Sequence, residues 1–535
     1  MDGHELRTPQ EVRIGRVVSV SGSQVVILLE NGSGNGAAPP LEIGALVKLH
    51  TPESTVFGMV GGLSIPIPAQ NAGESEMKIV ELELLGEALN GEDGAEATFQ
   101  RGVSAFPALG DGVFTTTQED LSRVYVRPGV SAVRIGTIHQ DQSLPAYIFP
   151  DDLLGKHMAV LGTTGSGKSC AVALILRAIL GHHPNAHVVL LDPHNEYACA
   201  FGESAEVLSP GNLELPYWLF NSEEIVEVLL DPEGKTSPEA TILNELIPVA
   251  KLDFLEGGGE EMNVTVDTPV PYYMSKLVRL IEDAMGKLEK PENLAPYLRL
   301  KARLNAIQTD SRFAFMFGNT AAHDNMAELL SRIFRVPVAG KPVTIVDLSG
   351  VPSEILNVVV SVLCRITFDF ALWSDRAVPI MLVCEEAHRY APKNPALGFE
   401  PTKRALSRIA KEGRKYGVSL CVVSQRPSEL ATEILSQCNT IFALRMSNQK
   451  DQEFVRAALS EWALGLLDFL PSLRNAEAIA VGEGVPVPMR LCFDVLPEEN
   501  RPRSGAASFS DAWQKDCNSE NFIHEVVARW RRQGR

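Results

Sequence analysis

Paired cysteines are missing from this chain of 535 residues. Its eight cysteines (Cys170, Cys199, Cys364, Cys384, Cys421, Cys438, Cys492 and Cys517) are scattered, and no two stand as C-x-x-C. Several lie inside apolar runs, Cys384 in "IMLVCEE" and Cys421 in "SLCVVS". They read as small buried hydrophobes in a reducing compartment, which argues against a zinc site. Long apolar runs are missing too: no window holds the roughly 18 uninterrupted apolar residues expected of a membrane span. The opening "MDGHELRTPQ" lacks the apolar stretch of a secretory signal, so a cytoplasmic protein is expected. Positive charge is scarce, with 48 Lys+Arg against 67 Asp+Glu and a net charge of −19. That excludes nucleic-acid binding over the whole outer surface and confines any such contact to a locally basic groove or channel. Solubility alone accounts for the acidity equally well. Internal repeats are also absent.

What is present is a globular composition, 45% hydrophobic and 21% charged, at a length that predicts two to four domains. Residues 12 to about 100 have a strand-and-turn texture. "VRIGRVVSVSG" and "SQVVILLE" are split by Gly22-Ser23 as a hairpin, and "GALVKLH", "TVFGMVGGLS" and "KIVELELLGE" follow. The flexible segments "NGSGNGAAPP" and "QNAGESE" lie between them. Five or so short strands predict a small barrel. From residue 157 apolar strands alternate with helices: "MAVLG", "HVVLLD", "VTIVDLS", "IMLVCEE", "VSLCVVS" and "TIFALRM". Such strands predict a mostly parallel sheet covered by helices on both faces. The strand pattern lapses between about 218 and 335, where amphipathic helices predict an insertion. A closing hairpin follows residue 470, then a polar tail ending in the helical "NFIHEVVARWRRQ". The expected division is a barrel over 1–105, a lead-in and first core segment over 106–217, the helical insertion over 218–335, a second core segment over 336–499 and a C-terminal arm over 500–535.

Gly162, Thr163, Thr164, Gly165, Ser166, Gly167, Lys168 and Ser169 match G-x-x-x-x-G-K-[ST] between an apolar strand and an apolar helix. Such glycines turn backbone N–H groups inward around phosphate oxygens at a helix N-terminus. Lys168 reaches the β/γ-phosphates, the Ser169 hydroxyl ligates Mg²⁺, and Cys170 continues the loop into the helix. ATP with Mg²⁺ is the expected cofactor pair. "IMLVCEEAHRYAP" supplies acid at a strand end: Glu385 for the Mg²⁺ shell and Glu386 to orient or deprotonate the attacking water. Gln425, ending "SLCVVSQ", is placed to sense the γ-phosphate or position water. "LLDPHNEY" brings Asp192, His194 and Glu196 to another strand end. In isolation that stretch is the capped end of a buried strand. Beside a P-loop, Asp192 becomes a partner to Mg²⁺ or water, Glu196 a weaker one, and His194 a turn-shaping residue.

"FEPTKRALSRIAKEGRKYG" reads as a helix entered through Pro401 and stopped at Gly417. Arg404, Arg408, Lys411 and Lys415 form one basic face. Either that face is simply solvated, or it meets phosphates of a neighbouring subunit's nucleotide or of nucleic acid. Arg414 is the first candidate for an arginine finger acting across a subunit boundary.

In this order, "GTTGSGKS", "LDPHNEY", "EEAHRYAP", "IAKEGRKYG", "VVSQRPSEL" and "ILSQCNT" resemble the HerA family of the FtsK/HerA P-loop ATPases. "IGRVVSVSG" and "ELLGE" resemble that family's HAS barrel. The resemblance implies a RecA-like core, a homohexamer and translocation of double-stranded DNA through the ring. It assigns Walker A roles to Lys168 and Ser169, Walker B roles to Glu385 and Glu386, an acidic motif near the nucleotide to Asp192 and Glu196, and the finger to Arg414. It places Lys156 where a second basic residue contributes in trans, with a point charge instead of a planar fork. It also implies a separate NurA-like nuclease or other effector, docked on the barrel, in DNA-end processing or antiphage defence, and a C-terminal arm bracing a neighbour. An alternative is an ATP-regulated hexameric scaffold that controls an effector without being a processive motor.

Overall fold

The computed structural model describes residues 11–30, 41–66, 76–89, 98–126, 129–230, 237–255, 263–287, 294–318, 323–394, 397–458, 464–503, 510, 513–514 and 520–532. Of the two segments read as flexible, "NGSGNGAAPP" and nearly all of "QNAGESE" lie outside these residues. The chain divides into two units, one formed by residues 1–183 and 421–497 and the other by 184–420 and 498–535.

In the first unit the N-terminal strands close into a barrel. Arg13–Ser21 pairs antiparallel with Gln24–Leu29 across a turn in which Gly22 takes φ 59°. The order continues through Gly112–Thr115, Leu46–His50, Ser54–Ser64 and Ile79–Leu89, and the last of these returns to Gln24–Leu29. Period-2 alternation sends Ile14, Val25, Ile27, Val47, Leu49, Val56, Val80, Leu82 and Val113 into one apolar interior. The barrel therefore runs to Thr115, ten residues past the expected boundary, because the short strand Gly112–Thr115 bridges Arg13–Ser21 to Leu46–His50. Lys48 and Asp120 meet at 2.9 Å where the following helix begins.

The same unit carries the P-loop strand His157–Leu161, flanked in parallel by Cys438–Leu444 and by Val418–Ser424, whose residues from Cys421 onward belong to this unit. Antiparallel strands Glu477–Gly482, Met489–Phe493, Val133–Ile138 and Pro145–Ile148 extend the sheet beyond Cys438–Leu444. The strands expected at "MAVLG" and "TIFALRM" and the closing hairpin all form. The antiparallel pair of 133–148 falls in the segment expected to lead into the core. Arg101, from the short strand Phe99–Arg101 on the barrel, donates to the carbonyls of Pro486 (2.7 Å), Gly482 (2.8 Å) and Val485. One side chain thus ties the barrel to the hairpin of the sheet.

The second unit holds four parallel strands in the order Ala205–Leu208, Val343–Asp347, His187–Asp192 and Ile380–Cys384. All but Ala205–Leu208 are the apolar runs read from the sequence. Every regular element described between residues 217 and 334 is helical. The helix Ser353–Trp373 is long and apolar enough to cross a membrane by length and composition. Here it is largely buried, packed against Ser222–Leu229, Glu400–Tyr416 and the strand Ile380–Cys384, so its apolar girth serves a protein core.

Candidate active site

The first unit supplies a phosphate cradle. Leu161 ends the strand, and the loop folds back on itself before the helix Lys168–His182. Ser166 Oγ donates to the Thr163 carbonyl at 2.7 Å, and Lys168 Nζ to the same oxygen at 3.2 Å. Thr163 is held in turn by the Arg445 carbonyl, which accepts from its N–H at 2.9 Å and its hydroxyl at 3.0 Å. Gly167 is the N-cap at φ 98°, a region that costs a side chain roughly 1–2 kcal/mol. A Cβ on Gly162 would stand 2.7 Å from Ser166 Oγ and 2.9 Å from Leu444 Cβ, so only glycine lets the loop close. No side chain caps the helix, whose first turn faces the loop with the positive end of its dipole. Lys168 and Ser166 are buried, Ser169 is half-buried, and Thr164, Gly165 and Cys170 are exposed.

Gln425 belongs to this constellation: its Oε1 accepts from the Thr164 hydroxyl, tying the end of the strand Val418–Ser424 to the loop. Beside it a cavity of about 490 Å³ is lined by Thr163, Thr164, Gln425, Arg426, Asn448 and Asp451, among others. Lys156, before the strand, is paired with Glu483 of its own chain, and Glu483 also accepts from Asn439 at 3.1 Å.

The second unit supplies carboxylates. Parallel pairing sets Leu191 opposite Cys384, and the Glu385 N–H donates to the Leu191 carbonyl at 3.3 Å. The ends of the "LLDPHNEY" and "LVCEEAH" strands therefore leave the sheet together. Asp192 is fully buried, and its own turn occupies it: Oδ1 accepts from His194 N–H (3.2 Å) and Oδ2 from Tyr197 N–H (3.0 Å). Burial pushes the Asp192 carboxyl above the usual range, and those donors only partly offset it. Asp192 therefore builds the 192–197 turn, with Asn195 at φ 53°, while the His194 side chain is exposed and Glu196 half-buried. The product of that turn is Tyr197, fully buried, whose hydroxyl donates to Glu385 Oε2 at 2.8 Å. Sequence reasoning passed over Tyr197 because nothing in its local pattern separates a core tyrosine from one that aims a carboxylate.

Glu386 is 6% exposed and sits at φ 52°, ψ 41°, the left-handed region that non-glycine residues avoid. Its Oε2 is buried without an aligned hydrogen-bond donor among the described residues, although His388 Nδ1 lies 3.2 Å away. A strained backbone and an under-satisfied carboxylate oxygen are the features of a group held ready for an external partner.

The basic helix spans Glu400–Tyr416, with Pro401 in its first turn and Gly417 at φ 81° as its stop, as the sequence predicts. Its face is less open to phosphates than the spacing suggests. Arg404 pairs with Glu223 at 2.7 Å, and Arg408 lies 4.0 Å over the Phe368 ring and 3.7 Å from Asp369. Two of the four basic residues are thus drawn to neighbouring helices of the same unit. Lys411, Lys415 and the finger candidate Arg414 are exposed.

Comparison with known proteins finds similarity along most of the chain. The family described as "Helicase HerA, central domain" matches residues 133–367. The chain is 27% identical over 509 residues to the DNA double-strand break repair helicase HerA of Pyrococcus furiosus, covering 85% of each chain. It is 24% identical over 527 residues to the protein of that description from Saccharolobus solfataricus, covering 95% of this chain and 97% of the relative. Among solved structures it is similar to VirB4 of Thermoanaerobacter pseudethanolicus, with 18% identity and a TM-score of 0.49 over 70% of this chain and 98% of that one.

Proposed function

We propose that the chain, which matches the HerA central-domain model over residues 133–367 and is similar to HerA helicases along most of its length, is a HerA-type P-loop ATPase that hydrolyses ATP to translocate on double-stranded DNA as a helicase of DNA-end repair. The observation that carries the reading is the pairing of two constellations in one chain. One is a glycine-built cradle at an uncapped helix N-terminus; the other is a strained, buried glutamate with an under-satisfied oxygen. The residues fit ATP with Mg²⁺. Backbone N–H groups of Gly165 to Ser169 and the Lys168 ammonium would bind phosphate oxygens, and the Ser169 hydroxyl, with Glu385 as the candidate carboxylate, would hold the ion. When bound, Mg²⁺ neutralises charge on the transferring phosphoryl group. Tyr197 orients Glu385. Glu386 accepts the proton of the attacking water, Gln425 links the loop to its strand so that the γ-phosphate position is felt in the sheet, and Asp192 holds Tyr197 in place.

The finer reading extends this to a homohexamer with DNA in its channel. Exposed Arg414 acts on a neighbour's γ-phosphate, and Lys156 does so after exchanging Glu483 for that phosphate. The helix Glu520–Arg532, with Phe522, Ile523 and Trp530 exposed, supports an arm that braces the next subunit. A separate nuclease or other effector docks on the barrel, in DNA-end processing or antiphage defence. The net charge of −19 agrees with DNA contact confined to a channel. The test is displacement of a protein roadblock along duplex DNA with ATP turnover followed in parallel. A motor displaces the block and is stimulated by DNA, and Glu386→Gln does neither. An effector that assembles on this protein and is regulated equally by wild type and Glu386→Gln, with no roadblock displacement, supports the scaffold instead.

A further inference from the structure

Away from the P-loop, three side chains converge on one face of the first unit's antiparallel strands. Glu477 and Cys492 are directly opposed on paired strands, and His139 follows the adjacent strand Val133–Ile138, its N–H donating to the Arg490 carbonyl at 2.9 Å. Their ligand atoms form a nearly equilateral triangle. His139 Nδ1 lies 3.5 Å from Glu477 Oε1, Cys492 Sγ 3.8 Å from His139 Nδ1, and Cys492 Sγ 4.0 Å from Glu477 Oε1.

From this geometry we propose that His139, Glu477 and Cys492 bind a zinc-class divalent ion, a site separate from the Mg²⁺ of the nucleotide. A triangle of those sides has its centre about 2.2 Å from each corner, within the range of about 2.0–2.3 Å for zinc bonds to nitrogen, oxygen and sulfur. Imidazole, carboxylate and thiolate together favour zinc-like ions over Mg²⁺ or Ca²⁺, which prefer oxygen. The surroundings orient the ligands. Glu477 Oε2 accepts from Arg490 Nη2 at 2.7 Å and from the Arg474 N–H at 3.1 Å, which leaves Oε1 turned toward His139 and Cys492. Arg490 is fixed in turn by the Phe469 ring, 5.3 Å away. Glu477 is 4% exposed, which separates this group from a surface acidic cluster.

Binding converts the Cys492 thiol to a thiolate and releases one proton to solvent. The ion carries +2 against −1 each from Cys492 and Glu477, so the ion and its three ligands are neutral together. Solvent reaches the site on the side where His139 is 30% exposed and can supply a further oxygen ligand. The ion links the end of Val133–Ile138 to the two strands of the hairpin that Arg101 also grips, so its role is to clamp the edge that joins sheet and barrel. The absence of C-x-x-C spacing did not reveal this group, because its ligands come from positions 353 residues apart in the chain.

Full-length protein stripped with a chelator and titrated with Co²⁺ tests the site. One equivalent should raise a thiolate-to-cobalt charge-transfer band, absent in Cys492→Ser and in His139→Ala and retained in Cys199→Ser. Unchanged ATP binding reports that each variant is folded. In wild type, which needs no substitution, one equivalent of Zn²⁺ should slow alkylation of Cys492 about tenfold or more while leaving Cys199 unchanged. No charge-transfer band, a band that survives in Cys492→Ser, or Cys492 alkylation indifferent to Zn²⁺ would overturn the proposal.

Discussion

The two strand ends proposed to serve the nucleotide are built by opposite means. After His157–Leu161 the main chain does the work. Glycines at φ 75° and 98° bend the loop, Ser166 and Lys168 close it on one carbonyl, and a bare helix end supplies the field. After Ile380–Cys384 side chains do the work. Glu385 is aimed by Tyr197, which comes from the neighbouring strand end, and Glu386 is forced into a backbone region it would not choose. A backbone cradle is specified by eight consecutive residues, whereas a carboxylate's aim is specified by whatever packs beside it.

That contrast orders the expected effects of substitution. Lys168→Ala removes a charge-assisted contact to phosphate, and ATP affinity by calorimetry should fall on the order of a hundredfold or more. Gly167→Ala puts a Cβ at φ 98° and should lower stability in thermal melts by about 1–2 kcal/mol while weakening ATP binding. The carboxylate end should respond in the reverse sense. Glu386→Gly relieves the left-handed strain and should raise stability by up to about 1 kcal/mol while turnover is lost; a destabilised Glu386→Gly would remove strain from the account. Tyr197→Phe keeps the ring and deletes one hydrogen bond worth about 0.5–1.5 kcal/mol, so the Mg²⁺ needed for half-maximal turnover should rise up to about tenfold with ATP affinity unchanged.

The smallest effect lies where the barrel meets the helix that follows it. Burial alone would raise the Asp120 carboxyl, but the Thr117 N–H and Lys48 outweigh it and hold it below its ordinary 3.8. Its contribution is therefore present above pH 3.8 and lost as pH falls through the lower folded value. Asp120→Asn should reduce stability at neutral pH and flatten that part of the acid limb, measured by denaturant melts between pH 2 and 6.

Much of this was legible in the sequence because its signals are local. The P-loop, the acidic strand end, the Pro401 entry and Gly417 stop of the basic helix, and six apolar strands are each written in consecutive residues. What escaped depends on partners far along the chain. Tyr197 meets Glu385 across 188 residues, Arg101 reaches the hairpin across 381 to 385, and Glu483 finds Lys156 across 327. Arg404 and Arg408 were read as one basic face because helical spacing shows which residues share a face but not which acids pack against it. The barrel boundary was set short because the four-residue strand Gly112–Thr115 is too brief to show an alternation of its own.

Under the proposed function the glycine cradle binds ATP and Glu386 promotes its cleavage. Single-turnover hydrolysis by Glu386→Gln, run beside equilibrium ATP binding by the same protein, tests it most directly. Wild-type affinity with cleavage slowed about 10²- to 10⁴-fold is expected, the usual contribution of a positioned general base. Cleavage at the wild-type rate would contradict it.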